Sequence, residues 1–282
     1  MIEVLSPGPL ATVQDLGRPG LAALGVGPSG AADRGALRLA NRLVGNAEPA
    51  AAIEATLGGL CLRFAEPALI AGTGAIGPMT IDGRTVGMNA PLAVPAGATV
   101  VLGRSTAGLR SYVAVRGGID VPPVLGSRST DLLSGVGPPV LVAGSRLPIG
   151  RLTAGFPTID LAPVRPIPDR LVLTARQGPR DDWFAATALA ALVDQAWTIS
   201  PDSNRVALRL TGPMLERVVE GELPSEGLLR GAVQVPPNGQ PMLFLSDHPV
   251  TGGYPVIAVV DEADVDLAAQ VRPGDVVRLR LV

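Results

Sequence analysis

Met79-Thr80-Ile81-Asp82-Gly83-Arg84-Thr85-Val86 decides the class of fold. Two runs rich in apolar and β-branched residues flank an Asp-Gly pair, the dipeptide suited to the left-handed backbone of a two-residue hairpin turn. The same grammar returns in Val233-Gln234-Val235-Pro236-Pro237-Asn238-Gly239-Gln240. Working outward, short apolar runs bounded by Gly and Pro mark further strands at Thr99 to Leu102, Ser111 to Val115, Leu171 to Thr174, Val206 to Leu210, Met242 to Leu245, Val256 to Val260 and Val276 to Leu281. The expected class is mainly β with a few helices.

Three segments break this pattern with helical spacing. The clearest runs from Ala31 to Val44, with Ser29 as its expected cap, Asp33 in its first turn and Gly45-Asn46 as its stop. Its Ala36, Leu37, Ala40, Leu43 and Val44 make one apolar stripe. Asp181 to Val193 and the shorter Glu262 to Ala269 are the other two.

Pro157, Pro163, Pro166 and Pro168 crowd one segment, which suppresses regular structure and marks residues 156–168 as a linker. The expected division is therefore a β-rich unit over 1–155 and a second, barrel-like unit over 169–282. Two echoes suggest that the units are related. Asp33-Arg34-Gly35-Ala36-Leu37-Arg38-Leu39 resembles Asn204-Arg205-Val206-Ala207-Leu208-Arg209-Leu210, and Ala96-Gly97-Ala98-Thr99-Val100-Val101-Leu102 resembles Pro273-Gly274-Asp275-Val276-Val277-Arg278-Leu279.

Composition excludes several classes of function. With 282 residues, 47% of them hydrophobic, the chain buries a sizeable core. A net charge of -2 and the lack of any basic run give no footprint for nucleic acid or an acidic membrane. All 23 basic residues are arginine. A chain without lysine carries no covalent biotin or lipoyl group, no Walker-type phosphate loop and no Schiff-base amine. One cysteine, Cys61, and one histidine, His248, supply neither a Cys/His metal site nor an intrachain disulfide. Cys61 reads as a structural thiol within Leu60-Cys61-Leu62. No charged-then-apolar leader follows Met1, and Gly, Pro or a charge interrupts each apolar run, so a cytoplasmic protein is expected.

Chemistry concentrates in Asp247-His248-Pro249-Val250-Thr251-Gly252-Gly253-Tyr254-Pro255, which holds the only histidine, a carboxylate, a hydroxyl and a Gly-Gly step. Adjacent glycines allow main-chain N–H groups to approach a ligand oxygen; the same step also reads as a tight turn. Thr12-Val13-Gln14-Asp15-Leu16-Gly17-Arg18 offers an amide, a carboxylate and a guanidinium around a turn, for ligand contact or an Asp15–Arg18 ion pair. Gly117-Gly118-Ile119-Asp120 followed by Gly126-Ser127-Arg128-Ser129-Thr130 groups hydroxyls and a guanidinium suited to a carboxylate or phosphate. Asp33 suits a helix N-terminus, and Glu54, inside a strand-like run, reads equally as solvent-facing, paired or catalytic.

At these residues the chain resembles the allophanate hydrolase subunit 2 family, also called the biotin-dependent carboxyltransferase family, which includes KipA proteins and the C subunit of 5-oxoprolinase. Matching stretches run nearly end to end: residues 12–18, Gly25-Val26-Gly27-Pro28-Ser29-Gly30-Ala31-Ala32-Asp33, Ala40-Asn41-Arg42-Leu43-Val44-Gly45-Asn46, Gly117-Gly118-Ile119-Asp120-Val121-Pro122, residues 125–130 and Thr251-Gly252-Gly253-Tyr254-Pro255. The resemblance implies two cyclophilin-like β-barrel units. It also implies ATP-dependent opening of 5-oxoproline to glutamate, together with a subunit 1 homologue and a separate lactam-utilisation subunit. Related members imply two alternatives: carboxyl transfer to urea or a similar amide, with biotin on another protein, or KipA-like binding of a kinase inhibitor. Pro138-Pro139, Gly144-Ser145 and Ala207 depart from the family pattern.

From this likeness come the expected roles. Arg128 with Ser127, Ser129 and Thr130 holds an anionic group, N–H groups at Gly252 and Gly253 face a developing oxyanion, and Asp247 or His248 moves a proton near Thr251. Gln14, Asp15, Arg18, Asp33 and Tyr254 complete the substrate contacts.

Overall fold

The computed structural model describes residues 1–164, 166–168, 170–221 and 223–282. The Pro-rich segment carries neither helix nor strand among its described residues, and Arg165 within it, like Asp169 beyond it, lies outside them. Contacts divide the chain into two compact units: Met1–Arg18, Ser29–Asp131 and Gly135–Ile167 form the first, and Pro19–Pro28, Leu132–Ser134 and Pro168–Val282 the second.

In the first unit the opening hairpin forms as read. Met79–Ile81 pairs with Arg84–Val86 in register Met79↔Val86, and Asp82 (φ 48°) and Gly83 (φ 77°) both take the left-handed conformation that a type I′ turn requires. Thr99–Leu102, Leu60–Phe64, Ile2–Pro7 and Arg146–Leu147 extend this hairpin into a six-stranded sheet. Leu10–Gln14, Ala52–Thr56, Ala107–Val115, Ala68–Ile76 and Leu92–Val94 make a five-stranded sheet. Ile2, Leu62 and Val100 from one sheet meet Val13, Ile53 and Val113 from the other in a common core.

Strand alternation then builds a second layer. Ile53 and Val113 face that core, whereas Ala52, Tyr112 and Ala114 face the opposite way, against helix Arg34–Leu43. The helix presents Leu37, Ala40 and Leu43 to this face, and burying Leu37 alone contributes about 2 kcal/mol. Its cap differs from the expectation. Asp33 is the N-cap, accepting the Ala36 N–H at 2.8 Å, while Ser29 sits four residues earlier at φ 50° and donates to Thr130 O. A carboxylate one residue before the first turn outcompetes a hydroxyl that tertiary contacts hold elsewhere.

The second unit is a closed barrel of seven strands, in order Leu171–Gln177, Val256–Val260, Ala232–Gln234, Met242–Phe244, Ala207–Thr211, Trp197–Ile199 and Val276–Leu281. Parallel pairing of Leu171–Gln177 with Val276–Leu281 closes it. Leu173, Trp197, Ile199, Leu243 and Ile257 fill the interior, and the Trp197 indole donates to Leu192 O at 3.0 Å. Helices Ala186–Asp194 and Glu262–Ala268 pack against this core. The single helix expected from Asp181 is two pieces: a short 3-10 turn, Asp181–Trp183, is separated from Ala186–Asp194 by extended backbone at Phe184 and Ala185. Phe184 leaves the helical path to bury its ring in the barrel core.

Of the two sequence echoes, one fails. Residues 34–39 are helical, whereas 207–210 are a barrel strand, because an Ala/Leu/Arg pattern follows whichever period the surroundings select. The other is the same local structure twice: Gly97 (φ 79°) precedes strand Thr99–Leu102, and Gly274 (φ 89°) precedes Val276–Leu281.

Candidate functional site

In the first unit, Asp15 is the hub of the Gly126–Thr130 loop. Its Oδ1 accepts from Gly17 N–H (2.7 Å), Ser127 Oγ (2.6 Å) and Ser129 Oγ (2.5 Å), and its Oδ2 from Arg128 N–H (2.6 Å). The Asp15 N–H donates back to Ser129 Oγ at 3.0 Å, and its carbonyl accepts from Ala31 N–H at 2.9 Å. The Ser127 and Ser129 hydroxyl protons are thus engaged by Asp15. The expected hydroxyl cradle is, in this structure, a set of hydrogen bonds internal to the loop. Asp15 pairs with no arginine among the described residues.

Arg18 instead donates through Nη2 to the Ser129 carbonyl. It is 2% exposed, and its Nε and Nη1 have no partner among the described residues. Gln14, fully buried, donates to Thr12 Oγ1 (3.0 Å) and Thr130 O (2.9 Å), leaving Oε1 unused, as is Thr130 Oγ1. Buried polar atoms without partners are uncommon, and four of them gather in this one loop cluster.

Arg128 turns the other way. Its Nε donates to Val121 O (2.7 Å) and its Nη2 to Asp120 Oδ1 (2.8 Å), and it lines a cavity of about 520 Å3 together with Gly117, Gly118 and Arg151.

Asp33 belongs to a separate cluster. Its N–H donates to Tyr112 Oη (2.8 Å), which donates to Glu54 Oε2 (2.8 Å), and the same carboxylate oxygen accepts from Ala32 N–H (3.0 Å). Arg110 lies 3.8 Å from Glu54, both side chains almost wholly buried. Of the three readings open for Glu54, pairing is the one realised, and it holds the entrance to the helix. Burial, followed by the negative charges of Glu54 and Asp33, pushes the Tyr112 hydroxyl well above its usual ionisation range.

In the second unit, Asp247 forms a fully buried, two-pronged pair with Arg205 (Nε–Oδ2 2.9 Å, Nη2–Oδ1 3.0 Å), and its Oδ2 also accepts from Leu132 N–H (3.1 Å). His248 is 5% exposed, with Nδ1 2.8 Å from the Pro249 carbonyl. A ring nitrogen facing a carbonyl is a donor, so in the neutral ring Nε2 is the acceptor. Thr251–Gly252 pairs with Glu226–Gly227 in a two-stranded ladder. Neither Gly252 nor Gly253 has positive φ, which corrects the reading of a conformationally special step. Gly252 instead makes room: a Cβ there would stand 2.7 Å from Gln234 Nε2, which donates to Tyr254 O at 2.7 Å. The Tyr254 ring is exposed.

Sequence reasoning missed Arg205, Gln234, Arg110 and Tyr112. An arginine beside a strand reads as solvated, and its buried partner stands 42 residues away. Cys61 is half-buried; burial pushes its thiol up against the opposing effect of Arg63, which disfavours a nucleophilic thiolate. No group of three or more His, Cys, Asp or Glu is placed to hold a metal among the described residues.

A closed barrel and a unit of two packed sheets, each with a buried arginine and carboxylate on its loops, define a β-rich protein of two units. The chain belongs to the carboxyltransferase domain, subdomain A and B family, whose model matches residues 24–281. It is 42% identical over 277 residues to the C subunit of 5-oxoprolinase from Escherichia coli (strain K12), covering 97% of this chain and 89% of that protein. It is 34% identical over 297 residues to urea amidolyase of Saccharomyces cerevisiae, spanning 16% of that longer protein. The crystal structure of K. lactis urea amidolyase superposes with a TM-score of 0.92 at 30% identity, over 100% of this chain and 18% of that one. No helix among the described residues is long and apolar enough to cross a membrane.

Proposed function

We propose that this chain is a subunit of an ATP-dependent 5-oxoprolinase, opening 5-oxo-L-proline to L-glutamate with a subunit 1 homologue and a lactam-utilisation subunit, and inactive alone. The observation that carries the reading is the end-to-end 42% identity to the E. coli 5-oxoprolinase C subunit. Phosphorylation of the lactam oxygen by ATP would activate the ring carbon toward water. The C–N bond would then break with the nitrogen leaving as the protonated amine, and the acyl phosphate so formed would be hydrolysed to glutamate and phosphate. The tasks left to protein side chains are to position the lactam and stabilise charge at that oxygen.

Of the expected donors, Arg18, Gln14 and Thr130 retain polar atoms without partners among the described residues, but they are buried and do not line the cavity that Arg128 lines. Arg128 suits the carboxylate of a substrate. Within the second unit taken by itself, Asp247 is the poorer proton carrier of the expected pair, since both its oxygens accept hydrogen bonds from Arg205. The chain has no lysine for a Walker-type phosphate loop, and the Gly117 and Gly118 N–H groups donate to Asn46 Oδ1 and Val115 O. ATP binds with the complex, and a chain without lysine carries no covalent biotin.

The likeness to K. lactis urea amidolyase over the whole chain favours a second reading, carboxyl transfer to an amide with biotin on another protein. ATP hydrolysis and glutamate formation from 5-oxo-L-proline, measured with all three subunits and with each omitted, test the proposal. Turnover that requires this chain supports it. A stable complex without turnover removes it in favour of amide carboxylation or KipA-like regulatory binding.

A further inference from the structure

Asp15 takes the Ser127 and Ser129 hydroxyls and Thr130 is buried, which leaves Arg128 as the accessible anion-binding side chain of this loop. Arg128 lines the cavity of about 520 Å3. Gly117 and Gly150, which also line it, pack backbone to backbone: a Cβ on Gly117 would lie 2.0 Å from Gly150 O, and one on Gly150 2.4 Å from Gly117 O, so neither position accepts a side chain. Ala50, Ile119 and Ile149 give it an apolar wall. On the polar side, the Arg128 backbone N–H is fixed by Asp15 Oδ2, and Nε and Nη2 hold Val121 O and Asp120 Oδ1. The guanidinium is thereby oriented with Nη1 uncommitted among the described residues, and the side chain is 35% exposed. Arg151 lines the same cavity, is exposed, and has no side-chain partner among the described residues.

We propose that this cavity binds the carboxylate of a small ring-bearing acid, held by Arg128 and Arg151 with the ring against the apolar wall. Its volume lies within the roughly 300–1,000 Å3 of small-ligand pockets. Planar guanidinium groups match a carboxylate, and the Asp120 carboxylate on the same wall disfavours a dianion such as phosphate. The inference rests on the function proposed above only in taking 5-oxo-L-proline as the acid.

Calorimetric titration of the purified chain, and of the reconstituted complex, with 5-oxo-L-proline, 2-pyrrolidinone and inorganic phosphate tests it. The expected result is that 5-oxo-L-proline binds about tenfold more tightly than either of the others. Arg128→Gln and Arg151→Gln each weaken it about tenfold, and Asp120→Asn, which removes the competing carboxylate, tightens it about threefold. Because Arg151 is exposed, its variant reports binding without loss of fold. Equal binding of 2-pyrrolidinone or phosphate, unchanged affinity in both arginine variants, or no binding to chain and complex alike overturns the pocket. Turnover that needs this chain while the titration fails leaves the enzyme reading standing and removes only the pocket. Binding without turnover does the reverse.

Discussion

Ser129 and Asp15 are bonded reciprocally: the Ser129 hydroxyl donates to Asp15 Oδ1 at 2.5 Å and accepts the Asp15 N–H at 3.0 Å. The pair spans 114 positions of chain and ties strand Leu10–Gln14 to the Gly126–Thr130 loop. Replacing Asp15 with Asn turns one acceptor oxygen into a donor facing other donors. Asp15→Asn is expected to lower unfolding free energy by about 2–4 kcal/mol, and Ser127→Ala by about 1 kcal/mol, in urea titrations. An Asp15→Asn chain of unchanged stability would show that the hub does not hold the loop.

Arg205 and Asp247 form a buried pair whose halves are each costly alone. Arg205→Met strands a carboxylate in the barrel unit and is expected to cost about 3–5 kcal/mol. The double variant Arg205→Met/Asp247→Leu recovers much of that loss, because replacing both partners with apolar groups leaves no unpaired charge. Denaturant unfolding of the two single variants and the double one forms the cycle that measures the coupling.

The chain has two tyrosines, so the alkaline behaviour of Tyr112 is separable from that of Tyr254. Its folded ionisation lies well above the unfolded value of about 10, so the stability it contributes is complete below pH 10 and declines as pH rises toward the folded value. The difference in 295 nm absorbance between the parent chain and Tyr112→Phe is expected to show no tyrosinate at pH 10 while the fold persists. A difference signal with a midpoint near pH 10 in the folded chain would contradict the buried Tyr112–Glu54 bond.

Arg180 and Glu226 make the opposite case. The Arg180 hydrogen bond, reinforced by its charge, holds Glu226 below the ordinary carboxylate range. Its contribution is present above the unfolded value of about 4.3 and is lost as pH falls through the lower folded value. The urea midpoints of the parent chain and Glu226→Gln are expected to differ at pH 7 and to draw together as the pH falls below about 4.3. A constant difference across that range would remove the ion pair as its cause.

Gly83 tests the opening hairpin. At φ 77° with nothing within 4 Å of a Cβ placed there, Gly83→Ala meets only backbone strain, expected at about 1–2 kcal/mol by thermal unfolding. A larger loss would point to packing that this open turn does not have.

Much of this molecule is determined locally and was therefore legible in the amino-acid sequence. Asp82-Gly83 dictates its own turn, Gly97 and Gly274 each start a strand, and the Leu37, Ala40, Leu43 stripe dictates a helix with one buried face. The loops that carry polar chemistry were also visible as clusters, because Gln, Asp, Arg and Ser beside Gly and Pro have no core role. What those groups do was not legible. Whether the Ser129 hydroxyl meets a ligand or Asp15, whether Glu54 faces water or Tyr112, and whether Arg205 is solvated or buried against Asp247 depend on pairings across 114, 58 and 42 positions. Turn and helix signals reach only a few residues along the chain. Hydrogen-bond partners are chosen by which strands lie side by side, and only the tertiary structure settles that.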